Sequence, residues 1–456
     1  MQERLIGLFF SRLNLIFILV FLTSISNGQS VLIIDNEYPK NSKMGIYRID
    51  EPVVRKEIPV KELTTGKTDT ISIVLASGRN AEMFVLRNDE SWREVYLRDG
   101  DTLKVSYFFP QHEWEIRGGN AEKFNNSFSN IDEGINNFFR NSYIHFPTAS
   151  RAKQTNYFTD TLRKSFVDTC GEFLRDYLFY KTAGVEITGN SRSRSEIIRR
   201  YYQKTPAPNN PAWTEAFNEL FTGYLRQQLN KKNGDSLKAI LTKGNSVFEV
   251  IDVLGRDTLL KQPELLKLVA VKGIYELGQT KEFNRTKLIG FLKELDSEKE
   301  FPSVRKSAAT IITMWERFSK GKQVENFTYE SSSQKQFNAL RGKPVYLCYY
   351  PVFNQDTQQE LLMLKGLNNK FKKEMHFLAI INVSTETGFR AALLNLEPGF
   401  EVATLSSCSA EFEALLENKT SRNYMLIDKA GKIWQAPAEG PETGVEAAFL
   451  QLIKAN

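Results

Sequence analysis

Sulfur is scarce in this chain. Its 456 residues hold three cysteines, Cys170, Cys348 and Cys408, and no two are spaced as Cys-x-x-Cys. That excludes a disulfide framework, and the odd count leaves at least one thiol unpaired. Histidine is equally sparse. His112, His145 and His376 stand far apart, without the spacing of a metal site. There is no Gly-x-Ser-x-Gly, no His-Glu-x-x-His and no phosphate-binding loop, so neither a cofactor nor a metal is expected. Charge of one sign is not massed anywhere. The net charge of +6 comes from 60 basic and 54 acidic side chains, which does not point to nucleic acid. Beyond the N-terminal segment no apolar run reaches the roughly 18 residues that a membrane-crossing helix needs.

What is present begins with an export pattern. Arg4 and Arg12 accompany a ten-residue apolar run, Leu13 to Leu22, and Ser26-Asn27-Gly28 offers small residues before Gln29. Residues 1–28 therefore read as a signal peptide, with an apolar run too short to span a bilayer. The mature chain is expected in the periplasm or cell envelope, with no transmembrane segment after cleavage. Hydrophobic residues make up 41% of the chain, which is long enough for two or three domains.

Residues 29–118 read as a β-sandwich. VLIIDNE, GIYRID, TISIVLA, AEMFVLR, REVYLRDGDTLKVSYFF and HEWEIRG are short, mostly alternating and split by turn residues. Asp99-Gly100-Asp101 is a hairpin-type turn signal. From Asn120 the period lengthens, and residues 119–320 read as an α-helical domain. Phe124, Phe128, Ile131, Ile135 and Phe138 share one helical face. So do Phe158, Leu162, Phe166, Cys170, Phe173 and Tyr177, and again Trp213, Phe217, Leu220, Tyr224 and Leu229. Further helices are predicted over 246–254, 259–278, 284–295 and 302–319. At helical spacing these aromatic stripes are read as core, not as a sugar-binding surface. The basic stretch Ser191–Lys204 is read as a solvated helix face, not as a contact for an anionic partner.

Residues 321–456 change character once more. Val324–Tyr329 is predicted as the first strand of a hairpin. Val345–Tyr350 is a fully apolar or aromatic strand, Pro351 ends it, and a helix builds from about Gln355, with Leu361, Leu364, Leu367 and Phe371 on one face. The strand His376–Val383 completes a βαβ unit. A helix over 385–396, a strand over 400–405, a helix over 410–418, strands over 423–428 and 432–436 and a helix over 444–455 follow.

The stretch GKPVYLCYYPVF, with Glu360, Leu361 and Leu364 after it, resembles the start of a TlpA-like thioredoxin domain, which reads G-K-x-V-x-L-x-F-W-A-x-W-C-x-x-C-x-x-E. YLRDGDTLKVSYFFPQHEWEIRGGNAEKFNNSF is similar to the end of a β domain in exported Bacteroidota proteins, where helices and a thioredoxin-like domain come next. The resemblance implies a multi-domain chain of β-sandwich, α-helical domain and α/β thioredoxin-like fold. It puts the redox cysteines at Asn354 and Thr357, and the family's cis-proline at Arg422, before the strand NYMLIDKAGKI. None of the three residues is retained. Redox exchange needs a low-pKa thiolate at a helix start and a second thiol one turn on. Asn354 can cap a helix but carries no sulfur.

Two functions follow as expectations. The first is a non-catalytic binding or scaffold protein whose partner is an envelope protein or peptide. The alternative is a thiol-disulfide oxidoreductase using a non-standard cysteine. Such an enzyme would have to use Cys408, at the C-terminal end of the strand FEVATL, or Cys348, which lies inside a strand and is otherwise read as core.

Overall fold

The computed structural model describes residues 29–36, 44–49, 51–63, 67–75, 81–88, 91–108, 111, 113–165, 171–231, 234–280, 282–383, 389, 393–416 and 421–455. The signal-peptide segment, His112 and Cys170 lie outside the described residues. The chain divides into two compact units, one ending at Thr310 and the other running from Ile311 to Asn456.

The first unit opens with eight strands: β1 (Gln29–Asn36), β2 (Met44–Ile49), β3 (Glu57–Glu62), β4 (Lys67–Val74), β5 (Ala81–Asn88), β6 (Trp92–Arg98), β7 (Thr102–Phe108) and β8 (Glu113–Arg117). They form two four-stranded sheets, ordered β4-β1-β7-β8 and β3-β2-β5-β6. Side-chain alternation sends Leu32 and Ile34 of β1, Phe84 and Leu86 of β5, and Val105 and Tyr107 of β7 into one core cluster. Each such residue contributes roughly 1.5–3 kcal/mol by leaving water.

The turn at Asp99-Gly100-Asp101 does not make the expected hairpin. β6 and β7 belong to different sheets, so the turn carries the chain from one to the other. Its local chemistry is as the residues suggest. Arg98 N–H donates to the Asp101 carboxylate at 2.9 Å, Asp101 N–H donates to the Arg98 carbonyl at 3.0 Å, and Gly100 takes φ 76°. Such bonds reverse the chain without specifying the next strand's neighbour. β3 was not expected from the pattern. It is an exposed edge strand, where Pro59 is tolerated.

Helices α1 (Asn120–Asn137), α2 (Thr148–Ser165), α3 (Glu172–Thr188), α4 (Arg194–Tyr201), α5 (Pro211–Leu220), α6 (Tyr224–Leu229), α7 (Gly234–Lys243), α8 (Val247–Gly255), α9 (Pro263–Gly278), α10 (Arg285–Asp296) and α11 (Pro302–Arg317) follow. Capping sets their limits. Ser246 and Glu249 close a capping box on α8. The helix predicted from residue 259 starts only at Pro263, because proline suits the first turn and the Gln262 side chain accepts the Leu265 N–H there. Two stripes that read as single helices are each divided. Trp213–Leu229 breaks at Gly223, which adopts φ 66°, and the Phe158–Tyr177 stripe falls on α2 and α3 with residues 166–170 outside the described set. Members of the stripes do bury: Trp213 and Phe217 stack at 4.8 Å in the interior.

The second unit contains β9 (Thr328–Glu330), β10 (Gln334–Gln336), β11 (Val345–Tyr350), α12 (Gln355–Phe371), β12 (His376–Ile381), β13 (Glu401–Thr404), α13 (Ala410–Ala414), β14 (Asn423–Ile427), β15 (Ile433–Gln435) and α14 (Glu446–Ala455). Five strands make one sheet in the order β13-β12-β11-β14-β15. β11, β12 and β13 are parallel, β14 runs against β11, and β15 runs against β14. A βαβ half thus leads to a ββα half with the reversed strand beside the first one, which is the thioredoxin-like arrangement. Of the helix predicted over 385–396, only residue 389 and the end at 393–396 are described. The lead-in hairpin also sits later than expected. Residues 321–324 instead run beside β15, with Gly321 N–H on the Ile433 carbonyl at 2.7 Å and Val324 N–H on the Gly431 carbonyl at 2.9 Å.

Candidate functional site

The handover from β11 to α12 lies at the C-terminal end of a parallel strand, the end of an open α/β sheet outside which ligands bind. Every second residue of β11 faces one way, so Tyr346, Cys348 and Tyr350 enter the same core as Leu361 and Leu364 of α12 and Phe449 and Leu452 of α14. Pro351 follows the strand, and Asn354 caps the helix. Its Oδ1 accepts the Thr357 N–H at 3.0 Å. Thr357 is 1% exposed, and its hydroxyl lies 2.8 Å from the Val352 carbonyl and 3.1 Å from Asn354 Oδ1. The helix-end N–H that would stabilise a thiolate in a redox protein is therefore taken by a neutral amide.

Arg422 stands just before β14 and reaches over to α12. Its guanidinium pairs with Glu360 and approaches Asp356 at 3.9 Å. The Glu360 side chain is buried and also accepts the Tyr424 hydroxyl at 2.6 Å. Burial pushes the Glu360 carboxyl above its ordinary value, while the Tyr424 hydrogen bond and the Arg422 charge pull it back. The cis peptide in the unit lies at Ala436–Pro437, after β15, not before β14.

The two described thiols are not bonded to each other, and both are buried. Cys348 is 1% exposed in the middle of β11, and burial drives its thiol well above the usual range. Cys408 follows a short turn after β13. Its thiol donates to the Thr404 carbonyl at 3.4 Å, and burial pushes it up to about 12. Neither has the cationic, partly open setting that makes a thiolate at neutral pH. His376 starts β12, and burial, then Lys343, holds its imidazole below the usual value. Among the described residues no group of three or more His, Cys, Asp or Glu is placed to hold a metal ion.

The structure thus brings Asn354, Thr357 and Arg422 to one end of α12 together with two residues that sequence reasoning did not assign to the site, Glu360 and Tyr424. One signal was available: Glu360 is an acid one turn from Thr357 on a helix whose next residue, Leu361, is core. Fold and site define a class: a thioredoxin-like unit whose helix mouth carries an amide cap and an ion pair.

No family model matches the sequence, and no curated protein matches it. Solved structures do. A thioredoxin-like protein from Bacteroides caccae is 12% identical with a TM-score of 0.36, covering 54% of this chain and 95% of that one. A protein named as the thiol:disulfide interchange protein DsbE from Chlorobium tepidum is 20% identical with a TM-score of 0.27, covering 30% and 97%. The thioredoxin domain of a thiol-disulfide oxidoreductase from Bacteroides vulgatus is 15% identical with a TM-score of 0.25, covering 29% and 98%. At these values the fold assignment rests on the strand order and helix placement described above, and no activity passes from those proteins to this chain.

Proposed function

We propose that this chain is an exported protein of the TlpA-like kind whose thioredoxin-like unit binds or scaffolds an envelope protein or peptide without redox catalysis. The pair of N-terminal sheets is read as a β-sandwich in the same scheme. One observation carries the reading. Where exchange chemistry would need two sulfurs, Asn354 instead caps α12 by accepting the Thr357 N–H, the Thr357 hydroxyl donates to the Val352 carbonyl, and Arg422 is spent on Glu360. Export is supported by the Arg4 to Gly28 pattern. Among the described residues no helix is long and apolar enough to cross a membrane.

The test is a disulfide-reduction assay on the mature chain, run beside a variant with Cys170, Cys348 and Cys408 all changed to serine. The reading expects neither protein to reduce the substrate above background, and the two to bind the same envelope partner in a pull-down. Turnover by the parent that Cys408→Ser abolishes would overturn it in favour of a one-cysteine oxidoreductase.

A further inference from the structure

An open cleft of about 510 Å³ lies between β6 and α1 in the first unit, within the size range of small-ligand sites. Its floor is fixed on two sides. β6 is an edge strand, and Asn125 of α1 stands in for the missing neighbour: its amide accepts the Tyr96 N–H at 2.7 Å and donates to the Tyr96 carbonyl at 2.8 Å. The Tyr96 ring stacks on Phe128 with centroids 3.7 Å apart. Beside it the Tyr96 hydroxyl donates to Glu94 at 2.7 Å, and Lys181 holds Asp132 at 3.2 Å.

The rim exceeds what packing requires. Trp92 lines the cleft with 59% of its surface exposed. Arg93 donates to the Ser129 hydroxyl at 3.1 Å, but its buried Nε has no hydrogen-bond partner in the protein. Asn137 and Arg140 add an amide and a second guanidinium. Charges of both signs line the cleft. An anion would meet Glu94, Asp132 and Glu133, and a polycation would meet Arg93 and Arg140. A neutral ligand dense in hydroxyls can satisfy donors and acceptors together, and a flat C–H face suits an exposed indole.

We propose that this cleft binds a neutral saccharide, with a sugar ring against Trp92 and its hydroxyls held by Arg93, Asn137 and Arg140. This stands apart from the reading of the thioredoxin-like unit and does not depend on it. The mature chain is titrated by calorimetry with cellotetraose, chitotetraose, maltotetraose and mannotetraose. One of them is expected to bind with a Kd between about 10 μM and about 1 mM. Trp92→Ala should weaken that binding about tenfold or more, and Asn137→Ala should weaken it too. Tyr157→Ala, which removes an exposed aromatic that does not line the cleft, should leave it unchanged. Melting temperatures equal to the parent's show that the variants are folded. No binding of any of the four sugars at about 10 mM, binding indifferent to Trp92→Ala, or uptake of tryptic casein peptides in place of the sugars overturns the proposal.

Discussion

Arg422→Ala isolates the ion pair at the mouth of the thioredoxin-like unit. The Glu360 side chain is 7% exposed, and its partners are the Arg422 guanidinium and the Tyr424 hydroxyl. Removing one member of a buried pair costs about 3–5 kcal/mol, because the other is left uncompensated. Arg422 is 36% exposed, so water already screens it, and the cost falls to about 1–3 kcal/mol. The pH dependence is the sharper test. Burial holds the Glu360 carboxyl above 4.5 in the fold, and Arg422 is one of the influences lowering it. Without Arg422 the folded value climbs further. A carboxyl raised in the folded state contributes stability that is complete below the unfolded value and is lost as pH rises through the folded one. The deficit of the variant should therefore grow as pH rises past the parent's folded value, which lies above 4.5. Hydrogen exchange followed by mass spectrometry on the full chain, at about pH 5 and about pH 8, reads this in peptides covering β11 and β14. A deficit of the same size at both pH values, or none at about pH 8, would refute the reasoning.

Four further outcomes are expected. A thiol reagent at about pH 8 should leave Cys348 and Cys408 unlabelled in the native protein and label both in denaturant; native labelling of either at the rate of an unfolded peptide contradicts the burial. Because the Cys408 thiol rises from 9.0 to about 12 on folding, its contribution is complete below pH 9 and lost toward about 12, so Cys408→Ser should flatten the alkaline decline in stability over that window. Asn354→Ala should cost about 1 kcal/mol of helix-cap stability and Asn354→Asp much less, which equilibrium denaturation can separate. Glu186→Ala should cost about 3–4 kcal/mol, because this fully buried carboxylate pairs with Arg163 and Arg192 at 3.2 Å each; a loss under about 1 kcal/mol would show that those guanidiniums find water instead.

What could be read in advance was what depends on period and on near neighbours. β11 and α12 were legible because an apolar run, a proline, a capping residue and a 3.6-residue apolar face fall in order within Val345–Phe371. Most helices were legible for the same reason, and their ends were missed where a single residue outweighs the periodicity, as at Gly223 and Pro263. Pairing between distant segments was not legible. Nothing in Asp99-Gly100-Asp101 says that β7 will lie parallel to β1, because that choice is made by which apolar faces can share a core. The site divides along the same line. That sulfur is missing at 354 and 357 can be read directly, and so can the fitness of Asn354 as a cap. That Glu360, Arg422 and Tyr424 close on one another cannot, since sixty-odd residues separate the acid from its partners. The interaction exists only once β14 has paired with β11 and set Tyr424 beside Cys348. The Arg422 charge is thereby committed to a buried acid, and the identity of residue 422 becomes a matter of folding stability.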